Sequence, residues 1–260
     1  MRIAINILSW NTRHCIAENV YSALAECDRV RRAGHACHVF CLDNGSSDGS
    51  GEVLSEIQAS PLTLIWLPQN EGSSGGRNAL IDEALNGFAA SHFLMLDGDI
   101  EMVPGSTLGL LDTLTKSGSM TYCAGMKSYD QSKTRGNIAR EFKHNGGVLT
   151  DWMDCAMTQY CLFHAQPFKD GVEFDERYGI GWGWEDNDLH YQMKARGLRC
   201  VVVPGNIYLH RNLHSSWDSL RASGVNLAAE YARRKELFLS KWGHHNTPEM
   251  AHYRTAVIAA

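Results

Sequence analysis

Within its first hundred residues the chain alternates short apolar runs with helical patterns, and that alternation leaves few folds open. Ile3 to Leu8 reads as a strand and about Ile16 to Ala33 as a helix; His38 to Leu42 and Ser50 to Gln58 repeat the pair. Leu62 to Leu67 is a third strand, followed by a helix from about Gly75 to Phe88 and a strand ending at Asp97. Strands separated by helices predict right-handed βαβ units and a mostly parallel sheet. Such sheets bind ligands at the carboxyl ends of their strands. The loops expected there are polar: Ser9-Trp10-Asn11, Asp43 to Asp48, Asn70-Glu71-Gly72 and Asp97-Gly98-Asp99. Their convergence on one edge predicts a binding site.

The run Phe93-Leu94-Met95-Leu96 ends abruptly in Asp97-Gly98-Asp99. An apolar run bounded by a polar turn reads as a buried strand. Two carboxylates at its exposed end are costly unless something positive meets them. Mg²⁺ or Mn²⁺ suits such a pair, because hard cations take oxygen ligands. Gly98 between them permits a tight turn, so both side chains can address one ion or its bound phosphates. The plainer alternative is an Asp-Gly turn capping an edge strand.

Composition narrows the rest. The 260-residue chain fits one large domain, and its 44% hydrophobic content rules out disorder. A net charge of −5 without a long basic block advertises no duplex-binding surface. No apolar segment approaches the roughly 20 residues of a bilayer span. The first residues, Met1 to Leu8, are too short and strand-like for a secretory signal. The eight cysteines lack paired metal spacing, and several lie in strand-like runs. Reduced, buried thiols in a cytoplasmic protein are therefore expected.

Beyond Pro104 a helix (Ser106 to Ser117) and a strand (Met120 to Met126) precede Lys127 to His144, which is poor in large apolar residues. That segment reads equally as a mobile loop beside an active site and as a surface excursion. Then Gly181-Trp182-Gly183-Trp184-Glu185-Asp186-Asn187-Asp188 opens a helix whose Leu189 and Met193 face the core. Carboxylates in a first turn favour the helix dipole, which is explanation enough for Asp188. Beside Glu185 and Asp186, however, Trp182 and Trp184 offer flat faces for a sugar ring, next to a group able to take a hydroxyl proton. A further strand-like run ends at His210; His214, His244 and His245 carry no comparable context. Leu227, Tyr231, Phe238 and Trp242 form an apolar stripe beside Arg233-Arg234-Lys235, read mainly as packing, with a membrane-surface or partner contact as the second reading.

In order, these motifs resemble those of GT-A fold glycosyltransferases, especially glycosyltransferase family 2, over about residues 1–215. The resemblance implies an α/β fold: a Rossmann-like α/β/α sandwich with a mostly parallel central sheet. Residues 1–103 would form the nucleotide-sugar half, 104–215 the acceptor half, and 216–260 a C-terminal helical extension. Asp43, in the segment Leu42 to Ser50, takes the family's base-binding role. Arg77, in Asn70 to Asn78, is implied to lie against the nucleotide. Asp97-Gly98-Asp99 matches the family's DxD motif, so Asp99 would bind Mn²⁺ or Mg²⁺, Asp97 the ion or the ribose, and Gly98 lies on the donor side. Trp184-Glu185-Asp186 resembles the acceptor-side acidic motif, whose second acid serves as base in inverting members. His210 matches the histidine that completes the metal site in some members. The chain departs from the family after its first strand, where Ser9-Trp10-Asn11-Thr12 stands and base packing falls to Trp10.

The activity so implied is metal-dependent transfer from a nucleotide-diphosphate sugar, with UDP the default carrier, to an acceptor hydroxyl with inversion. A retaining transferase and a non-catalytic nucleotide-sugar or carbohydrate-binding protein are the alternatives. A glycan, protein, lipid headgroup, small molecule or modified nucleic-acid base could each present the hydroxyl.

Overall fold

A computed structural model describes residues 1–129, 141–142, 148–150, 158–181, 183–209 and 215–243. Among these residues eight strands form one sheet: β1 (Arg2–Ser9), β2 (Ala36–Asn44), β3 (Leu62–Leu67), β4 (His92–Asp97), β5 (Thr121–Tyr129), β6 (Val148–Thr150), β7 (Tyr160–His164) and β8 (Arg199–Leu209). Their order is β3-β2-β1-β4-β7-β5-β8-β6. The β3-β2-β1-β4 half is wholly parallel, as the alternating pattern predicts. In the other half β7 runs antiparallel to both β4 and β5. The strand-like run expected before His210 is the end of one long strand, β8, whose pairing with β5 shifts register between Gly125 and Lys127.

Helices cover both faces. On one side α1 (Ile16–Arg32) lays Ile16, Val20, Ala23, Cys27 and Val30 on Ile3, Ile5 and Ile7 of β1 and Val39 of β2. The alternating four- and three-residue steps keep one helix face on the sheet. Helix α4 (Ser106–Lys116) adds Leu110 and Leu114 to the same layer, while α2 (Ser50–Ser55) contributes Leu54. On the other side α3 (Gly72–Asp82) and α6 (Glu185–Lys194) bury Leu80, Leu189 and Met193 against Phe40, Phe93 and Phe163. Leu189 and Met193 face the core as predicted. Helix α3 starts three residues before the expected Gly75 and passes into a π-turn over Glu83–Gly87. The short α5 (Gln166–Lys169) follows β7, and α7 (Ser215–Ala222) and α8 (Leu227–Trp242) close the described chain. Cys15, Cys27, Cys37, Cys41, Cys123, Cys161 and Cys200 are buried thiols.

The apolar stripe of α8 faces inward. Phe238 is fully buried against Trp184 and Tyr191, and Trp242 packs on Tyr191. Lys241 Nζ and Trp242 Nε1 both donate to Asp188 Oδ1, at 2.6 and 2.8 Å. Asp188 therefore anchors the C-terminal helix as well as standing in the first turn of α6. A stripe packed in this way leaves little apolar surface for a membrane or partner; Tyr231 is its exposed member. No helix among the described residues is long and apolar enough to cross a membrane.

Candidate active site

Strand register assembles the site. Ser9 pairs with Asp43, Leu8 with Asp97, and Asp43 with Trp66, so the ends of four adjacent parallel strands lie side by side. Gly98 joins them at close quarters: its N–H donates to Leu8 O at 2.7 Å, and a Cβ there would stand 2.9 Å from Ser9 Cα. It serves close approach, since its φ lies outside the left-handed region. Its carbonyl accepts from Asn19 Nδ2, so both backbone groups are committed within the protein.

The loop after β1 is mostly structural. Ser9 Oγ bonds Thr12 Oγ1 at 2.7 Å and is buried; Asn11 donates its N–H to Ser46 Oγ and accepts from Ser47 N, each at 2.9 Å. The Ser9 side chain thus bonds within its own loop, and Asn11 ties that loop to the one after β2. Trp10 stays partly exposed between them. Asp43 accepts from the Ser46 N–H and hydroxyl, which aim its carboxylate. Beside it Trp66 is 46% exposed, and a Cβ on Gly51 would meet both Trp66 Cζ3 and Asp43 Oδ2, at 3.5 and 3.7 Å. Trp66 escaped the sequence reading because one aromatic at a strand end looks like packing; its register opposite Asp43 is the signal.

Arg77, from α3, is 4% exposed and donates through Nη2 to Asp97 Oδ1 at 2.8 Å. Burial alone would lower its pKa, but Asp97, Asp186 and Glu185 outweigh that and hold it above the ordinary arginine value. Nε and Nη1 of Arg77 have no hydrogen-bond partner among the described residues. The resemblance places Arg77 against the nucleotide; here it grips Asp97 and lies between two acidic clusters.

The donor set suits a hard divalent cation. Asp97 Oδ2 is left without a donor among the described residues, and Asp99 is 7% exposed at the same turn. Two carboxylates on one strand-end turn are oxygen ligands of the kind Mn²⁺ and Mg²⁺ take. Among the described residues no group of three or more His, Cys, Asp or Glu comes together as a metal cluster. His210, the expected third ligand, and Trp182, one of the two expected stacking faces, lie outside the described residues, as does most of the Lys127–His144 segment.

The second acidic cluster divides into two roles. Asp186 accepts from Thr158 N at 3.2 Å and Thr158 Oγ1 at 2.6 Å while keeping part of its surface open. Burial pushes its carboxyl up to about 7; Glu185 adds to the rise, and Arg77 and Thr158 oppose it. Glu185 is buried, with Oε1 accepting from Ser73 Oγ at 2.9 Å and Oε2 from Arg234 Nη1 at 3.0 Å. Trp184 differs from the expected sugar platform. It is 9% exposed, with its ring centroid 5.0 Å from Phe238 and 5.7 Å from Tyr231, so little of its face is left for a sugar. Arg234 was also missed. The available signal was its place on the stripe itself, three residues after Tyr231 and four before Phe238.

Comparisons with known proteins agree with this geometry. No curated protein matches the chain. Among solved structures, S. aureus TarS 1-349 in complex with UDP is similar at TM-score 0.61 and 14% identity, over 92% of this chain and 70% of that one. GalNAc-T7 with UDP, GalNAc and Mn²⁺ is similar at TM-score 0.60 and 15% identity, over 92% of this chain and 50% of that one. The Pyrobaculum calidifontis mannosyltransferase PcManGT, in complex with GDP-Man and Mn²⁺, is similar at TM-score 0.60 and 13% identity, over 98% and 69%. At such identities the likeness establishes the GT-A fold. The sequence itself matches Glycosyl transferase family 2 over residues 5–172, more than half of its length. The strand-end site and the family match together make this chain a GT-A glycosyltransferase of glycosyl transferase family 2.

Proposed function

We propose that the chain transfers a sugar from a nucleotide-diphosphate sugar, with UDP as the carrier, to an acceptor hydroxyl, with inversion at the anomeric carbon. The observation that carries this reading is the position of Asp186, held by Thr158 and partly open, close to the Arg77 that grips Asp97. A carboxylate raised to about 7 is matched to accept a proton near neutral pH, and its partial exposure gives an acceptor access. Glu185 is buried and tied to Ser73 and the Arg234 guanidinium, whereas Asp186 is held by Thr158 and stays partly exposed, which favours Asp186 as the base of the pair. One accessible carboxylate on the acceptor side supports a single displacement over retention.

Asp43 would take the base edge and Trp66 its face, while Trp10 borders the same loop. Asp97 and Asp99 would hold Mn²⁺ or Mg²⁺, which when bound supplies the positive charge a departing nucleoside diphosphate requires. Asp186 takes the acceptor hydroxyl proton, the freed oxygen bonds to the anomeric carbon, and the bond to the diphosphate breaks on the opposite side. Arg77 keeps Asp97 in place and offsets the negative charge of the two clusters. UDP as carrier has its support in the similar TarS fold, solved with UDP and with UDP-GlcNAc. Two intact acidic clusters weigh against a purely binding role.

Calorimetric titration of UDP tests the donor side. Mn²⁺ is expected to tighten binding, EDTA to remove the gain, and Asp99→Ala to weaken the Mn²⁺-dependent component about 10–100-fold. Superimposable curves for Asp99→Ala and wild type would refute the assignment. A second expectation concerns pH: kcat/KM should fall tenfold per unit below a single protonation near pH 7, because only the ionised Asp186 accepts a proton. A profile flat from pH 8 to 5 would remove Asp186 from that role.

A further inference from the structure

We propose that Arg234, carried into the site by the C-terminal helix, is a positioning residue for acceptor activation: it locks Glu185 and the glycine turn before it so that Asp186 meets the acceptor hydroxyl. The inference rests on the reading of Asp186 as the base.

Arg234 has no solvent exposure, and its guanidinium reaches three acceptors on the approach to Asp186. Nη1 donates to Glu185 Oε2 at 3.0 Å and to Gly183 O at 3.1 Å, and Nη2 donates to Gly179 O at 2.7 Å. Gly179, Gly181 and Gly183 have φ of 68°, 142° and 90°. Those angles turn carbonyls towards the cation and leave room for it. A Cβ on Gly181 would lie 3.0 Å from both Nε and Nη2. Arg233 continues the clamp by donating to the carbonyls of Arg177 and Tyr178. The glycine-rich turn that the sequence presents as a sugar platform is therefore shaped, at Gly179, Gly181 and Gly183, around a guanidinium from far along the chain.

Anchoring the helix does not account for this arginine. Helix α8 is already held by Phe238 against Trp184 and by Lys241 and Trp242 on Asp188. A buried cation is a poor way to add stability, since desolvation offsets most of the attraction and an apolar residue of similar size does as well. What the guanidinium provides instead is direction. With Ser73 on one oxygen and Arg234 on the other, Glu185 ties α3, α6 and α8 together and cannot rotate into the acceptor face. Its neighbour Asp186, itself held by Thr158, is then presented in one orientation. Displacing a reacting group by about 1 Å costs on the order of 10²-fold in rate, which sets the scale of the effect.

The test uses the full chain with Mn²⁺ and UDP-glucose, UDP-GlcNAc and GDP-mannose, following nucleoside diphosphate release well below each variant's Tm. Arg234→Gln is expected to lower kcat about 10–100-fold with KM and UDP affinity unchanged. Arg234→Lys keeps the charge but not the planar fork, so its kcat should fall between those of Gln and wild type. Trp242→Phe removes the indole bond to Asp188, and should lower Tm while leaving kcat intact. Wild-type kcat in Arg234→Gln, or an equal loss in Trp242→Phe, would overturn the proposal. If the Gln variant fails to fold, wild-type kcat in Arg234→Lys overturns it, and a lowered kcat at unchanged UDP affinity supports it. A wild type inactive with all three donors overturns the proposed function and this inference with it; an active wild type beside an unaffected Arg234 variant overturns this inference alone.

Discussion

Asp186→Asn is expected to suppress sugar transfer by about 10²–10⁴-fold while leaving the affinity for UDP unchanged. The amide keeps the size and the Thr158 contact but cannot accept the acceptor proton. The same substitution should stabilise the fold at alkaline pH. In the folded state the Asp186 carboxyl is raised to about 7 from its ordinary 3.8, so its ionised form is disfavoured by folding. A raised folded value means a contribution that is complete below the unfolded value and is lost as pH climbs through the folded one. Asparagine escapes that loss. The gain should therefore be largest above pH 7 and vanish towards pH 4. At pH 8 the full shift is worth about 4 kcal/mol, which the burial cost of the amide offsets in part, so Tm should rise by several degrees. Equal losses of transfer and UDP binding, or a lower Tm at pH 8, would assign Asp186 a structural part instead.

Arg77→Met carries the second large effect. The substitution leaves Asp97 without its cation and removes the positive charge that Asp97, Asp186 and Glu185 share. Breaking one side of a largely buried pair costs about 3–5 kcal/mol, a large part of a typical domain's stability of about 5–15 kcal/mol. Because Asp97 keeps some exposure, the lower end is expected. The loss should be larger at pH 8 than at pH 5, where the raised carboxyl of Asp186 is protonated and no longer repels its neighbours. Loss of the arginine also removes a charge that lowers the Asp186 pKa, so residual activity should shift to higher pH. Urea unfolding at both pH values checks the first two, and a pH profile of residual activity checks the third. A loss below about 0.5 kcal/mol at both would show that Arg77 is not the electrostatic centre of the site.

How much of this could be read beforehand depended on the range of the interactions involved. The four parallel strands and α1 are local apolar patterns, and they fall where the sequence puts them to within a few residues. Asp43, Asp97 and Asp99 were legible because each ends such a strand, and register alone brings those ends together. The start of α3 was not, because Gly72, Gly75 and Gly76 look like loop residues. Gly72 is there for another reason: a Cβ on it would stand 2.3 Å from Gly179 O, across the site. The settings of Trp184, Asp188 and Arg234 share one cause: Trp184 and Asp188 meet partners on α8, and Arg234 on α8 meets Glu185 and the glycine turn, contacts beyond the reach of any local pattern. A cation spaced at three and four residues from aromatics on one stripe was the single clue, and it points to a buried arginine without saying what it meets.

The account stands most directly on one assay: nucleoside diphosphate release from UDP-glucose, UDP-GlcNAc and GDP-mannose, with Mn²⁺ or with EDTA, by wild type and Asp186→Asn. Release by the wild type from one of these donors is predicted, abolished by EDTA and sharply reduced in the variant. No release from any of them, or release that ignores both EDTA and the loss of the Asp186 carboxylate, would contradict it.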